Sequence, residues 1–64
     1  MQKITLKAAR INAGLSVEGA AKAIGVNRAT ILRWEKDPRV VKAEFQKRIE
    51  QAYKFPLNLI FFGS

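Results

Sequence analysis

The amino-acid sequence predicts an all-α fold, a compact bundle of five short helices. Apolar side chains recur at helical spacing along most of the chain, and no segment shows the period-two alternation of a strand. Residues that favour helix ends punctuate this pattern at short intervals. With 64 residues and no repeat or linker, we expect one domain over residues 1–64.

The first two predicted helices have clear start and stop signals. Thr5 is a suitable N-cap for helix one, and Gly14 resembles a left-handed C-terminal stop. Ser16 is the expected N-cap of helix two, which should end before Gly25. Its apolar face is predicted to consist of Ala20, Ala21 and Ile24. Gly19 inside this helix costs roughly 1 kcal/mol relative to Ala and indicates a mobile or closely packed helix.

The third and fourth predicted helices differ in the clarity of their starts. Asn27 should cap helix three, which Asp37-Pro38 closes, with Ile31 and Trp34 facing the core. Helix four is indicated by an apolar stripe and should end near Tyr53. The stripe consists of Val41, Phe45, Ile49 and Ala52.

A short fifth helix is predicted from Pro56, which suits a first helical turn, to about Phe62, with Gly63 as the stop. Helical spacing directs three side chains toward the core: Leu57, Ile60 and Phe61. It leaves Leu59 and Phe62 without an obvious interior place.

The composition narrows the classes of function. Cysteine and histidine are both absent, so disulfides and thiolate or imidazole metal sites are excluded and no cofactor is expected. The stretch from Met1 to Ile11 has no long apolar run, so we expect no membrane segment and a cytoplasmic location. The five Asp and Glu residues show no pairing typical of acid-base catalysis, so we do not expect an enzyme.

The charge balance indicates an anionic partner. Twelve Lys and Arg residues against five Asp and Glu residues give a net charge of +7. Such an excess on a small surface favours polyanions, and nucleic acids above all.

The segment 16–37, SVEGAAKAIGVNRATILRWEKD, carries the most specific pattern. Two short helices joined by a glycine-containing turn must cross steeply, so their contact needs small or closely fitted side chains. Ala21 is small where the helices would touch, and Gly25 permits a backbone conformation closed to most residues. The wedge between the helices would be filled by Ile24, Val26, Ile31 and Trp34.

This segment resembles the Cro/C1-type (XRE-like) helix-turn-helix family of phage repressors and bacterial regulators. The resemblance extends to Leu6, Ala9 and Arg10 before the motif and to FPLNLIFFG after it. It implies a lambda-repressor-like DNA-binding domain whose helices two and three form the helix-turn-helix. It also implies a structural pair between Arg10 and Glu35. The chain departs from the family at Val17, where many members have a phosphate-binding glutamine, and at Asp37-Pro38.

By this resemblance, helix three, near residues 27–36, is the element that enters the major groove of an operator. The face opposite Ile31 and Trp34 should then read bases. The candidates are Asn27, Arg28, Ala29, Thr30, Leu32 and Arg33. Arginine pairs bidentately with guanine, and an apolar side chain can meet a thymine methyl. Phosphate contact remains the alternative for both arginines.

Phosphate contacts are expected around this helix. The caps of helices two and three expose amides and a partial positive charge, and three basic residues follow helix three. The candidates are Ser16, Asn27, Lys36, Arg39 and Lys42.

The expected partner is a double-stranded DNA operator bound by a weak two-fold homodimer, since one helix reads only a few base pairs. Leu59 and Phe62 are the candidate dimer contacts. The chain is too short for a separate effector domain, so no small-molecule ligand is expected. The main alternative is a protein-interaction module that uses the apolar C-terminal segment. RNA binding is a weaker alternative because Trp34 belongs to the predicted core.

Overall fold

The computed structural model describes residues 2–63, and within them the fold is all-α, as predicted. Its α-helices are α1 (Leu6–Asn12), α2 (Val17–Ile24), α3 (Arg28–Lys36) and α4 (Ala43–Tyr53). Two short 3-10 turns, Pro38–Val40 and Leu57–Leu59, follow α3 and α4. No helix in this described part is long and apolar enough to cross a membrane.

The N-caps of α1, α2 and α3 share one geometry, which confirms the predicted helix starts. Thr5 Oγ1 accepts a hydrogen bond from the Ala8 amide at 3.1 Å, and Ser16 Oγ accepts one from the Gly19 amide at 3.0 Å. Asn27 Oδ1 accepts from the amide three residues later at 2.9 Å. Each cap satisfies an amide that the helix itself leaves unpaired.

Two glycines end α1 and α2 in the left-handed region, with φ 75° at Gly14 and 91° at Gly25. At the turn between α2 and α3, the amides of Gly25 and Val26 both donate to the Ala21 carbonyl, at 2.8 and 2.9 Å. Gly19 is closely packed, because a Cβ at that position would lie 3.2 Å from Ser16 Oγ. The start of α2 therefore leaves little room for a larger residue at position 19, whereas the turn favours glycine at position 25 because of its positive φ.

The C-terminal segment differs from the prediction, because the expected fifth helix is only the 3-10 turn Leu57–Leu59. The chain then runs extended beside Ile4: the Ile4 amide donates to the Leu59 carbonyl, and the Phe61 amide donates to the Ile4 carbonyl, both at 2.8 Å. In extended backbone, successive side chains point to opposite sides. Ile60 is accordingly buried, whereas Phe61 is 42% exposed.

Phe61 therefore does not face the core, contrary to the helical spacing, and Phe62 packs against the core instead. Leu59 is half-buried. Val41 is buried as expected but precedes α4, which begins at Ala43.

The core combines α1 to α4 with the C-terminal strand-like segment. Its buried apolar residues are Leu6, Ala9, Ala20, Ala21, Ile24, Ile31, Trp34, Val41, Ile49, Tyr53 and Ile60. Beside it, Arg10 Nε donates to Glu35 Oε2 at 2.6 Å, and Arg10 Nη1 donates to the Leu15 carbonyl at 3.0 Å. The hydrogen bond to Glu35 raises the pKa of Arg10. This ion pair joins α1 to the end of α3 and so fixes the orientation of α3.

Candidate nucleic-acid interface

The two sides of α3 differ sharply in exposure. Ile31 and Trp34 lie in the core, at 1% and 6% exposure. Arg28 and Ala29 are exposed on the other side, and Leu32 is 47% exposed. An exposed helix face with a guanidinium and two small or medium apolar groups has the shape and chemistry to enter a major groove.

At the leading end of α3, two candidate residues bind each other. The Thr30 hydroxyl donates to Asn27 Oδ1 at 2.9 Å, and the same oxygen accepts from the Thr30 amide. The Asn27 carbonyl oxygen is therefore occupied by capping, which leaves its amide NH₂ as the group available to a ligand. The Thr30 hydroxyl retains its acceptor capacity.

Arg33 occupies a different flank of α3 from Arg28. The two arginines are five positions apart in the chain, which places them about 140° apart around a helix of 3.6 residues per turn. Arg33 lines a surface groove of about 390 Å³ between α3, the turn Pro38–Val40 and α4. We call this the α3–α4 groove. Its apolar lining is Val26, Trp34, Val40 and Phe45, and its polar lining is Thr30, Arg33 and Lys42.

The predicted phosphate contacts lie at the surface around α3. Ser16, Lys36, Arg39 and Lys42 are all exposed. Arg39 Nε donates to Asp37 Oδ1 at 3.1 Å, and this hydrogen bond holds the pKa of Asp37 below its usual value. Lys42 precedes α4 and lines the α3–α4 groove across from α3. Lys42 shares this groove with Thr30 and Arg33 of the predicted base-reading residues.

Arg48 was not anticipated from the sequence. Its Nη1 donates to the Ile24 carbonyl at 3.4 Å, at the end of α2, and its guanidinium lies 5.4 Å from the Phe45 ring centre. Phe45 in turn lies 5.4 Å from the Trp34 ring, tilted by 50°. The i, i+3 spacing of Phe45 and Arg48 on α4 predicts that the two are neighbours. The hydrogen bond from Arg48 to the Ile24 carbonyl joins residues 24 positions apart, and no local sequence pattern predicts it.

Comparison with protein families agrees with this geometry. A family model described as helix-turn-helix matches residues 6–60, which include all four α-helices and extend to the residue paired with Ile4. The chain belongs to the Cro/C1-type helix-turn-helix family. This helix-turn-helix domain is thus a DNA-binding regulatory domain, and α3 is the second helix of its motif. No curated protein and no solved structure gives a significant match.

Proposed function

We propose that this helix-turn-helix domain is a sequence-specific transcriptional regulator of the phage or prophage Cro/repressor type, which reads a double-stranded DNA operator with α3. The observation that carries the proposal is the exposure of Arg28, Ala29 and Leu32 on a helix whose other side is held in the core. A major groove admits a helix presented in this way. The net charge of +7 favours the approach to DNA.

In this proposal, the leading part of α3 faces the base edges. The Arg28 guanidinium is suited to the O6 and N7 atoms of guanine, and Ala29 and Leu32 are suited to thymine methyl groups. The Asn27 amide NH₂ and the Thr30 hydroxyl lie at the edge of this face and can contribute there. Arg33, the remaining predicted base reader, lies toward the α3–α4 groove.

Phosphates of the operator would bind around α3. The amides at the N-termini of α2 and α3 lie beside Ser16 and Asn27, and a phosphate can bind there while the side chains remain caps. Lys36, Arg39 and Lys42 would add electrostatic contacts, which set the register of the helix on the duplex without reading sequence.

A two-fold homodimer on a palindromic operator would double the number of base pairs read. Leu59 and Phe62, both half-buried, remain the proposed contacts, and Phe61, which is 42% exposed and adjoins Phe62 in the chain, is available to the same interface. Sedimentation with and without a palindromic duplex tests this proposal. Two chains per duplex support it, and a strict one-to-one complex contradicts it.

The proposed function is tested by selecting bound duplexes from a random library at fixed salt concentration. We expect enrichment of one sequence with two related half-sites. Retention of DNA without any sequence preference contradicts sequence-specific reading. Absence of all duplex binding contradicts a DNA role and favours the protein-interaction alternative.

A further inference from the structure

We infer that Arg48 is a positioning residue for DNA recognition, which holds the turn between α2 and α3 from α4 and so fixes the angle at which α3 meets the duplex. Arg48 itself would contact no DNA, and it lies outside the helix-turn-helix motif, which ends with α3. The inference rests on the proposed function, because it assigns to α4 a role in the same sequence-specific reading by α3.

The first argument is the place where the Arg48 guanidinium lies. Its Nη1 donates to the carbonyl of Ile24, the last residue of α2, at 3.4 Å. A Cβ built on Gly25 would lie 3.5 Å from the same nitrogen. The carbonyl end of a helix carries a partial negative charge, which a cation stabilises. Arg48 therefore caps α2 and covers the glycine on which the turn depends.

The second argument is the hydrogen bonding of the turn itself. The amides of Gly25 and Val26 both donate to the Ala21 carbonyl, at 2.8 and 2.9 Å. The Ile24 carbonyl is one of the last four of α2, which the helix leaves without an internal partner. Arg48 supplies a donor to it from 24 positions later in the chain. The turn is thus closed by its own backbone on one side and by α4 on the other.

The third argument is the link from Arg48 to α3. Phe45 lies one helical turn before Arg48 on α4, and its ring centre is 5.4 Å from the guanidinium and 5.4 Å from the ring of Trp34, on the buried side of α3. Two side chains of α4 therefore hold both helices of the motif, and the cation–π contact joins them to each other. A rotation of α3 about the turn would have to disturb both contacts.

Base reading and nonspecific attraction depend differently on the orientation of α3. Contacts to base edges need side chains held within roughly 0.5 Å and 10–20° of the productive geometry. Attraction to phosphates is electrostatic and tolerates a change of angle. The loss of a positioning residue should therefore lower the affinity for a selected duplex more than the affinity for a scrambled one. Because Arg48 is exposed, its replacement should leave the domain folded.

The test compares Arg48→Met with the wild-type protein on the selected and scrambled duplexes across a salt series. Methionine keeps a long apolar side chain and removes the charge and the donors. The affinity for the selected duplex should fall by roughly three- to tenfold, and the affinity for the scrambled duplex should fall only slightly, with a nearly unchanged salt slope. Lys47→Met is the matched control, since it removes one exposed charge from the adjacent position of α4. It should leave the ratio of the two affinities unchanged.

Two further measurements separate positioning from a general loss of stability. Hydrogen exchange of the Gly25 and Val26 amides should be faster in Arg48→Met by roughly three- to fivefold, whereas exchange of the amides in α1 should not change. Arg48→Lys should restore part of the selectivity, because its ammonium can still donate to the Ile24 carbonyl but lacks the planar guanidinium over Phe45. Thermal melting checks that each variant is folded at the temperature of the titrations.

Three results would overturn the inference. If Arg48→Met weakens both duplexes equally and lowers the salt slope by about one unit, Arg48 contacts a phosphate. If the variant relaxes the preference at a single base pair, Arg48 reads that base pair, whereas a positioning residue should weaken the preference throughout each half-site. Wild-type selectivity and wild-type exchange in the variant would show that the contact does not position α3. The proposed function survives all three results, because it fails only if the wild-type protein prefers no duplex.

Discussion

The inward and outward faces of α3 are built for different tasks. On the inward face, Trp34 packs against Phe45 and Ile31 is fully enclosed, while Glu35 is held by Arg10. On the outward face, Arg28 and Leu32 are exposed, and both are proposed to contact the base edges of DNA. The inward face thus orients the helix by contacts within the domain, and the outward face is left for the ligand.

This contrast makes stability and recognition separable by single substitutions. A change on the inward face should lower the free energy of unfolding and affect DNA only through the fold. A change on the outward face should lower the affinity for DNA and leave the free energy of unfolding nearly unchanged.

The largest effect is expected for Trp34→Ala. Removing a buried ring that packs on Phe45 should cost about 3 to 5 kcal/mol, which is a large part of the stability of so small a domain. Denaturant titration measures it, with Leu32→Ala on the outward face as the control. Equal destabilisation by the two substitutions would show that the assigned faces of α3 are wrong.

The next effect is expected for Glu35→Gln. Arg10 is 8% exposed and loses its charged partner, so we expect a cost of about 2 to 4 kcal/mol. Glu44→Gln is the control because Glu44 is exposed on α4. Replacing the pair together, as Arg10→Met with Glu35→Leu, should recover most of the loss. If the Glu35→Gln protein is as stable as the wild type, the ion pair does not help to fix the orientation of α3.

The sequence predicted the parts of the fold that depend on local chemistry. The starts of α1, α2 and α3 follow from Thr5, Ser16 and Asn27, because each cap binds an amide only three residues away. The outward position of Arg28 follows from helical periodicity alone.

What the sequence did not reveal depends on contacts between distant segments. The predicted fifth helix is reduced to a 3-10 turn within residues 2–63, because backbone hydrogen bonds to Ile4, more than fifty residues earlier, hold the chain around Ile60 in extended pairing. The α3–α4 groove and the contact of Arg48 with Ile24 likewise bring separate helices together. No periodicity encodes such distances, so the sequence did not show that Arg33 and Lys42 line the same groove.

The third prediction concerns Tyr53, the one tyrosine of the chain. It is the last residue of α4 and is buried in the core. Burial raises the pKa of Tyr53 to about 12, with a smaller contribution in the same direction from Glu35. The folded state favours the protonated phenol. The stabilisation that this gives to the folded protein is therefore complete below about pH 10 and is lost as the pH rises toward 12.

The loss should amount to about 2 to 3 kcal/mol across that interval for the wild-type protein. Tyr53→Phe removes the ionisable phenol, so the free energy of unfolding of this variant should fall less steeply than that of the wild type over the same alkaline range. The ultraviolet absorbance of tyrosinate measures the ionisation directly in the folded wild type. An ordinary tyrosine titration in the folded protein would contradict the burial of this phenol.

The smallest effect on stability is expected for Arg28→Ala, which changes the outward face of α3. No intramolecular hydrogen bond or ion pair of the Arg28 side chain is present within residues 2–63, so the free energy of unfolding should change by less than about 0.5 kcal/mol. Affinity for the selected duplex should fall by roughly 1 to 3 kcal/mol, with relaxed preference at one base pair per half-site, because a bidentate contact to guanine is lost. Titrations on selected and scrambled duplexes measure both, and Lys22→Ala on α2 controls for the lost charge. If Arg28→Ala weakened the two duplexes equally, Arg28 would contact only the backbone, and the outward face of α3 would attract DNA without reading it.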